Sequence, residues 1–211
     1  MPSSQVILDG LRAIANTGQG LAVMWHVAFG AGLAALVLGW RPAKRLAGAL
    51  FAIPLASVSA LAWLAGNPFN GTVFAILAVG LAGQAVRLPH GRVAVAVPWL
   101  VAAGGLLTAF GWTYPHFLEA QSLATYLYAA PLGLIPCPTL SALVGLALMI
   151  DGLGSRWWSM TLAVGGAAYG LFGWLGLGVT TDVVLLAGAV ALGIVVMFRR
   201  EPGATASVAG A

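Results

Sequence analysis

Pro131-Leu-Gly-Leu-Ile-Pro-Cys-Pro-Thr139 sits within 31 consecutive residues, Ala120 to Ile150, that carry no charged side chain. Uncharged runs of that length belong in a bilayer, yet three prolines and a glycine within eight residues forbid one uninterrupted helix. The segment therefore reads as a broken helix at membrane depth. Irregular backbone survives in hydrocarbon only where protein or a polar cavity satisfies its freed N–H and C=O groups, so this stretch is the first candidate for a site.

The rest of the 211-residue chain is of the same kind, 61% hydrophobic and 7% charged, where soluble domains carry about 25% charged residues. The fold class is all-α, a polytopic transmembrane helix bundle. Apolar stretches bounded by charge or turn signals give seven spans, at about 20–39, 46–65, 71–86, 93–110, 137–153, 157–177 and 182–198. Eight of the nine basic residues fall on one side of that arrangement, in Arg41–Arg45, Arg87–Arg92, Asp151–Arg156 and Arg199-Arg200. By the positive-inside rule that side is cytoplasmic, which predicts an outside N-terminus and an inside C-terminus. The fifth span is short: from Pro138 to Ile150 a helix covers about 20 Å of a hydrocarbon layer about 30 Å thick. The chain before it must dip inward, with Leu118–Tyr128 as a short helix on or re-entering the outer leaflet and Pro131–Pro136 as an extended turn. Pro138 suits a first helical turn, and Thr139 and Ser141 can cap the N–H groups that remain.

The sequence pI near 9.8 does not indicate nucleic acid, because the basic residues sit in short runs between spans, where they set topology. The expected partner is the lipid bilayer. Runs such as Gly30-Ala-Gly32, Gly165-Gly166-Ala-Ala-Tyr-Gly170 and Gly173-Trp-Leu-Gly176 suit close helix packing, and a homo-oligomer through such Gly/Ala-rich faces stays open. Most tryptophans lie near span ends, as interface anchors do. Residues 1–19 lack the pattern of a cleaved signal peptide, and Val6, Ile7, Leu8, Leu11 and Ile14 suit a helix lying in the interface. The whole chain, 1–211, reads as a single integral membrane domain with a flexible cytoplasmic tail over 200–211.

Polar and reactive groups gather on the predicted outer side: Tyr114, His116, Glu119, Gln121, Tyr126, Tyr128, Cys137 and Thr139, with Asp182 at the start of the last span and His26 inside the first. Ionisable groups at membrane depth are costly and mark function by default. Each has a plainer reading. Asp182 after Thr180-Thr181 looks like an N-cap, Glu119 a solvated headgroup-level acid, His26 a histidine bonded to a carbonyl. Cys137, the only cysteine, forms no intramolecular disulfide; at a helix start its thiolate is favoured, though a buried cysteine also serves as apolar filler. A retinal protein needs a lysine in the last helix, and the only lysine, Lys44, sits in a basic turn. No H-E-x-x-H, no G-x-S-x-G and no phosphate-binding glycine loop appears, so common hydrolase and nucleotide chemistries lack their parts and an enzyme is not expected.

Tyr114-Pro115, then Pro131-Leu-Gly133-Leu-Ile-Pro136-Cys137-Pro138-Thr139 leading into Leu146-Ala-Leu148-Met149, resembles the signature of a family of small bacterial inner-membrane proteins known as a domain of unknown function. In that family a Tyr-Pro pair precedes a Pro-x-Gly-x-x-Pro-Cys-Pro-Thr run that enters a helix. The resemblance covers roughly 35 residues and implies a multi-span protein of a bacterial inner membrane without assigned activity, with Tyr114, Pro115, Pro136, Cys137, Pro138 and Thr139 as motif positions. Leu132 and Leu140 stand where the family often has an aromatic and a second threonine.

Three functions follow as expectations. A small-solute transporter or channel would use the broken segment 114–139, with Tyr114, His116, Glu119, Pro136, Cys137, Pro138 and Thr139 binding or gating. A metal- or haem-binding redox module would instead ligate through His26, His116 and Cys137. The third is an assembly or scaffold subunit. No cofactor is named by the sequence.

Overall fold

The computed structural model describes residues 3–120 and 122–198; Gln121 and the tail from Arg199 onward lie outside the described residues. Among the described residues the fold is all-α, without a named strand. The helices are α1 (Ser4–Thr17), α2 (Gln19–Val37), α3 (Lys44–Leu64), α4 (Pro68–Ala85), α5 (Pro98–Trp112), the single turn α6 (Tyr126–Ala129), α7 (Pro136–Met149), α8 (Arg156–Leu171) and α9 (Val183–Phe198). A helix stands at each of the seven places where hydropathy predicts one. Four of them, α2, α3, α4 and Thr180–Phe198, are long and apolar enough to cross a membrane, while α5 and α7 are apolar but shorter.

Helices α3 and α4, α5 and α7, and α8 and α9 pair as neighbours, and α7 sits at the centre of the bundle. Its sequence explains the position: PCPTLSALVGLALM is apolar or small on every face, and such a helix is stable only when surrounded. Every residue of α7 except Cys137, Leu146 and Met149 is buried. Glycine sets the close approach to α5. A Cβ on Gly111 would meet the Pro138 carbonyl at 2.5 Å, and one on Gly145 would meet the Gly104 carbonyl at 2.5 Å.

The connections gather at two ends. At the basic end, Val93 N–H donates to the Pro42 carbonyl at 2.9 Å and Ala96 N–H to the Met149 carbonyl at 2.9 Å, stitching three turns together. At the opposite end α1 lies over the bundle, its apolar face turned to protein. Leu11 and Ala15 are buried in a cluster with Tyr114, Phe117, Leu134 and Ile135. Ser4 Oγ donates to the Gly176 carbonyl at 3.1 Å, and Asn16 grips the 117–119 backbone by accepting from Glu119 N–H at 2.8 Å and donating to the Phe117 carbonyl at 3.0 Å.

The predicted break before α7 is present, but its form differs. Among the described residues of 118–128 there is, in place of the expected helix, a 3₁₀ turn, Leu123–Thr125, running into α6. Phe117 stands at φ +73° and the Asn16 bonds hold the backbone that follows, so helix cannot begin earlier. Residues 129–136 are buried in protein, where their backbone finds local partners. Leu134 N–H donates to the Pro131 carbonyl at 3.2 Å and Gly133 N–H to Thr139 Oγ1 at 2.9 Å. Gly133 takes φ +73° with the Trp25 indole packed where a side chain would stand. The expected caps are corrected too: Ile135 occupies the cap position of α7 with no side-chain cap bond, Thr139 Oγ1 donates to the Ile135 carbonyl at 2.7 Å, and Ser141 Oγ is buried without a hydrogen bond.

Candidate functional site

Three chain segments distant in sequence converge at the end covered by α1: the link after α5, the first turn of α7 and the approach to α9. Asp182 lies at their meeting point, 1% exposed. Tyr114 Oη donates to its Oδ1 at 2.6 Å and Cys137 Sγ donates to its Oδ2 at 3.1 Å. The N-cap role expected of Asp182 is therefore corrected, since both of its oxygens turn to side chains of other elements. Burial, followed by the neighbouring Cys137 and Asp182, raises the Tyr114 phenol above its ordinary value, so this group stays a protonated donor.

The carboxylate fits because of Gly173. A Cβ there would collide with Asp182 Oδ2. Gly173 belongs to a π-helical turn, Phe172–Gly176, in which α8 widens before ending, and Val179 N–H folds back onto the Gly173 carbonyl at 2.9 Å. Such widened turns recur at functional sites. A second polar pair stands beside the first: Tyr169 Oη donates to Asn70 Oδ1 at 3.0 Å, both residues buried. Asn70, Cys137, Tyr169 and Asp182 line one small cavity of about 20 Å³, and Ile7 and Leu11 of α1 form part of its wall. That volume admits one particle the size of a water molecule.

The residues predicted for a site divide into two groups. Tyr114 and Cys137 meet at Asp182. Pro136 and Pro138 are buried in the first turn of α7, and Thr139 is buried with its hydroxyl spent on folding the preceding turn. His116 is exposed, its ring 6.5 Å from that of Tyr114 and 5.1 Å from that of Phe117. Glu119 is exposed and is held through its backbone by Asn16. His26 is buried with Nδ1 2.8 Å from the Ala22 carbonyl of its own helix and Nε2 2.9 Å from the Trp112 carbonyl, so Nε2 ties α2 to the end of α5. Among the described residues no group of three or more His, Cys, Asp or Glu is placed to hold a metal ion, and His26, His116 and Cys137 form no such set.

Sequence reading missed Asn70 and Tyr169, although each left a signal. Asn70 is an amide among apolar residues early in α4, and Tyr169 is the one phenol in the glycine-rich run of α8. No family model matches the chain, nor does any curated protein or solved structure.

Proposed function

We propose that this chain is an integral membrane protein with seven crossings, and that it moves a small solute past a buried proton- or cation-binding centre at Asp182. The observation that carries the reading is the Asp182 carboxylate, buried between helix ends and held by Tyr114 and Cys137 beside a cavity with room for one small particle. A carboxylate at such depth is expensive, and its use is to bind and release a charged particle. Tyr114 and Cys137 supply O–H and S–H donors that orient it, while Asn70 and Tyr169 offer polar atoms for a particle that leaves it.

Support for seven crossings comes from the four long helices, from α8 extending through its π turn to Gly176, and from α5 and α7 as shorter apolar partners. In this reading residues 129–136 are a re-entrant segment, kept from lipid by protein on all sides. The asymmetry of basic residues supports a cytoplasmic basic end with α1 outside, and the resemblance of the Pro-Cys-Pro-Thr motif supports a bacterial inner membrane as the setting. In this reading α1 covers the centre from the outside through Ile7 and Leu11.

The test is proton and cation flux. Purified protein in vesicles with a trapped pH-sensitive dye is given a pH gradient and a potassium diffusion potential, then the same experiment is run with sodium and potassium gradients. Wild type should carry flux above protein-free vesicles, and Asp182→Asn should abolish it. Flux equal in wild type and Asp182→Asn, or none in wild type, overturns the reading.

A further inference from the structure

A second feature lies away from Asp182. Between α2 and α3 runs an almost wholly apolar groove of about 260 Å³, walled by Phe29, Gly32 and Leu36 on one side and by Leu50, Phe51 and Pro54 on the other, with α7 as its floor. It exists because α2 is tied to the bundle mainly near its start. There Trp25 Nε1 donates to Ser57 Oγ at 3.1 Å and His26 reaches the Trp112 carbonyl. As a whole α2 stands off, with 17% of its span buried against 50% of α3, and its buried residues Ala22, His26 and Phe29 all precede Gly30. Gly32 adds to the gap, since a Cβ there would meet nothing within 4 Å.

The groove ends at Trp40, Pro42 and Val93, at the basic end. The turns that close it bring positive charge together. Arg41 donates to the Leu36 and Trp40 carbonyls, Arg92 Nη1 to the Arg41 carbonyl at 3.1 Å, and Arg45 Nε to the Leu88 carbonyl at 3.0 Å. Lys44 sits in the same knot through its backbone bond to the Gly91 carbonyl at 3.0 Å. These carbonyls fix the side chains without neutralising them. Among the described residues Asp151 is the one acid at this end, against Arg41, Lys44, Arg45, Arg87, Arg92 and Arg156.

We infer that the groove is a binding site for one anionic phospholipid, with an acyl chain between α2 and α3 and the phosphate on Arg41 and Arg92. An apolar slot between spanning helices takes a chain, and a basic knot at its mouth selects a negative headgroup over a zwitterionic one. A second copy of this chain would match the apolar wall but would leave the basic mouth without an opposite charge. The inference rests on the chain lying in a membrane and not on the role given to Asp182.

The experiment is native mass spectrometry of the full chain in detergent, titrated with phosphatidylglycerol and, separately, with phosphatidylcholine of the same acyl chains. One phosphatidylglycerol should be retained per chain, with about a thirtyfold preference over phosphatidylcholine, the scale set by two basic residues at a lipid surface. Gly32→Leu fills open space and should lower retention of both lipids at least several-fold. Arg41→Gln combined with Arg92→Gln should leave chain binding and erase the headgroup preference. Gly80→Leu adds the same bulk on α4, where a Cβ also meets nothing within 4 Å, and should change nothing. Equal retention of the two lipids by wild type, indifference to Gly32→Leu, or dimers in place of lipid adducts overturns the inference. Loss of ion flux in the vesicle experiment without loss of lipid selectivity would sink the transport reading alone.

Discussion

Asp182 is a residue whose surroundings are decided by chain segments far from it. Its partners Tyr114 and Cys137 stand 68 and 45 positions away, so a local pattern of Thr-Thr-Asp before an apolar run gave no hint of them and pointed to a cap. The position of a charge-bearing residue at the start of a span was visible in the sequence; its burial, and its place in a network rather than a cap, were not. Tyr114→Phe removes a donor from a buried carboxylate and should lower stability by about 1–3 kcal/mol, read as a drop in thermal midpoint in detergent. Cys137→Ala should cost less, because S–H is a weak donor. Gly173→Ala forces a methyl group into the Asp182 carboxylate and should destabilise by about 1–3 kcal/mol, whereas Gly80→Ala, in open space mid-helix, should be neutral or stabilising by about 0.5–1 kcal/mol. Equal midpoints for the two glycine variants would show that Asp182 does not pack on Gly173.

At the scale of elements, α1 separates the Asp182 cavity from the surroundings through Ile7 and Leu11. Leu11→Asp should loosen that cover, and a maleimide should then modify Cys137 at least tenfold faster than in wild type, with no labelling in Cys137→Ser. An unchanged rate would mean that reagent reaches the thiol by another route. Helix positions were readable because each apolar run is long and ends at charge or turn residues, and period and length suffice for that. The chain after Phe117 was not readable, because the Phe117 carbonyl and the Glu119 N–H are taken by Asn16, an amide about a hundred residues earlier. The same holds for the start of α7. Prolines announced the break, but only the packed structure shows Thr139 spending its hydroxyl on the turn rather than on helix N–H groups.

For the molecule as a whole, the two ends of the bundle make opposite demands on a labelling experiment. In a Cys137→Ser background, an impermeant maleimide added to intact cells should modify Ser122→Cys, on the end covered by α1, and should modify His90→Cys, on the basic end, only after permeabilisation. The reverse result would invert the topology. The screening of α7 by other helices has a further consequence for how such a protein lives with changing lipids. A bilayer that thickens or thins presses on the helices it touches, which tilt or bend in response. Helix α7 meets lipid only as the floor of the groove between α2 and α3, through Leu143 and Leu146, so its length needs no match to hydrocarbon thickness. Its 14 residues can hold Cys137 against Asp182 at a spacing indifferent to acyl-chain length. A cell that remodels its fatty acids with temperature would leave the start of this helix, where Cys137 meets Asp182, undisturbed.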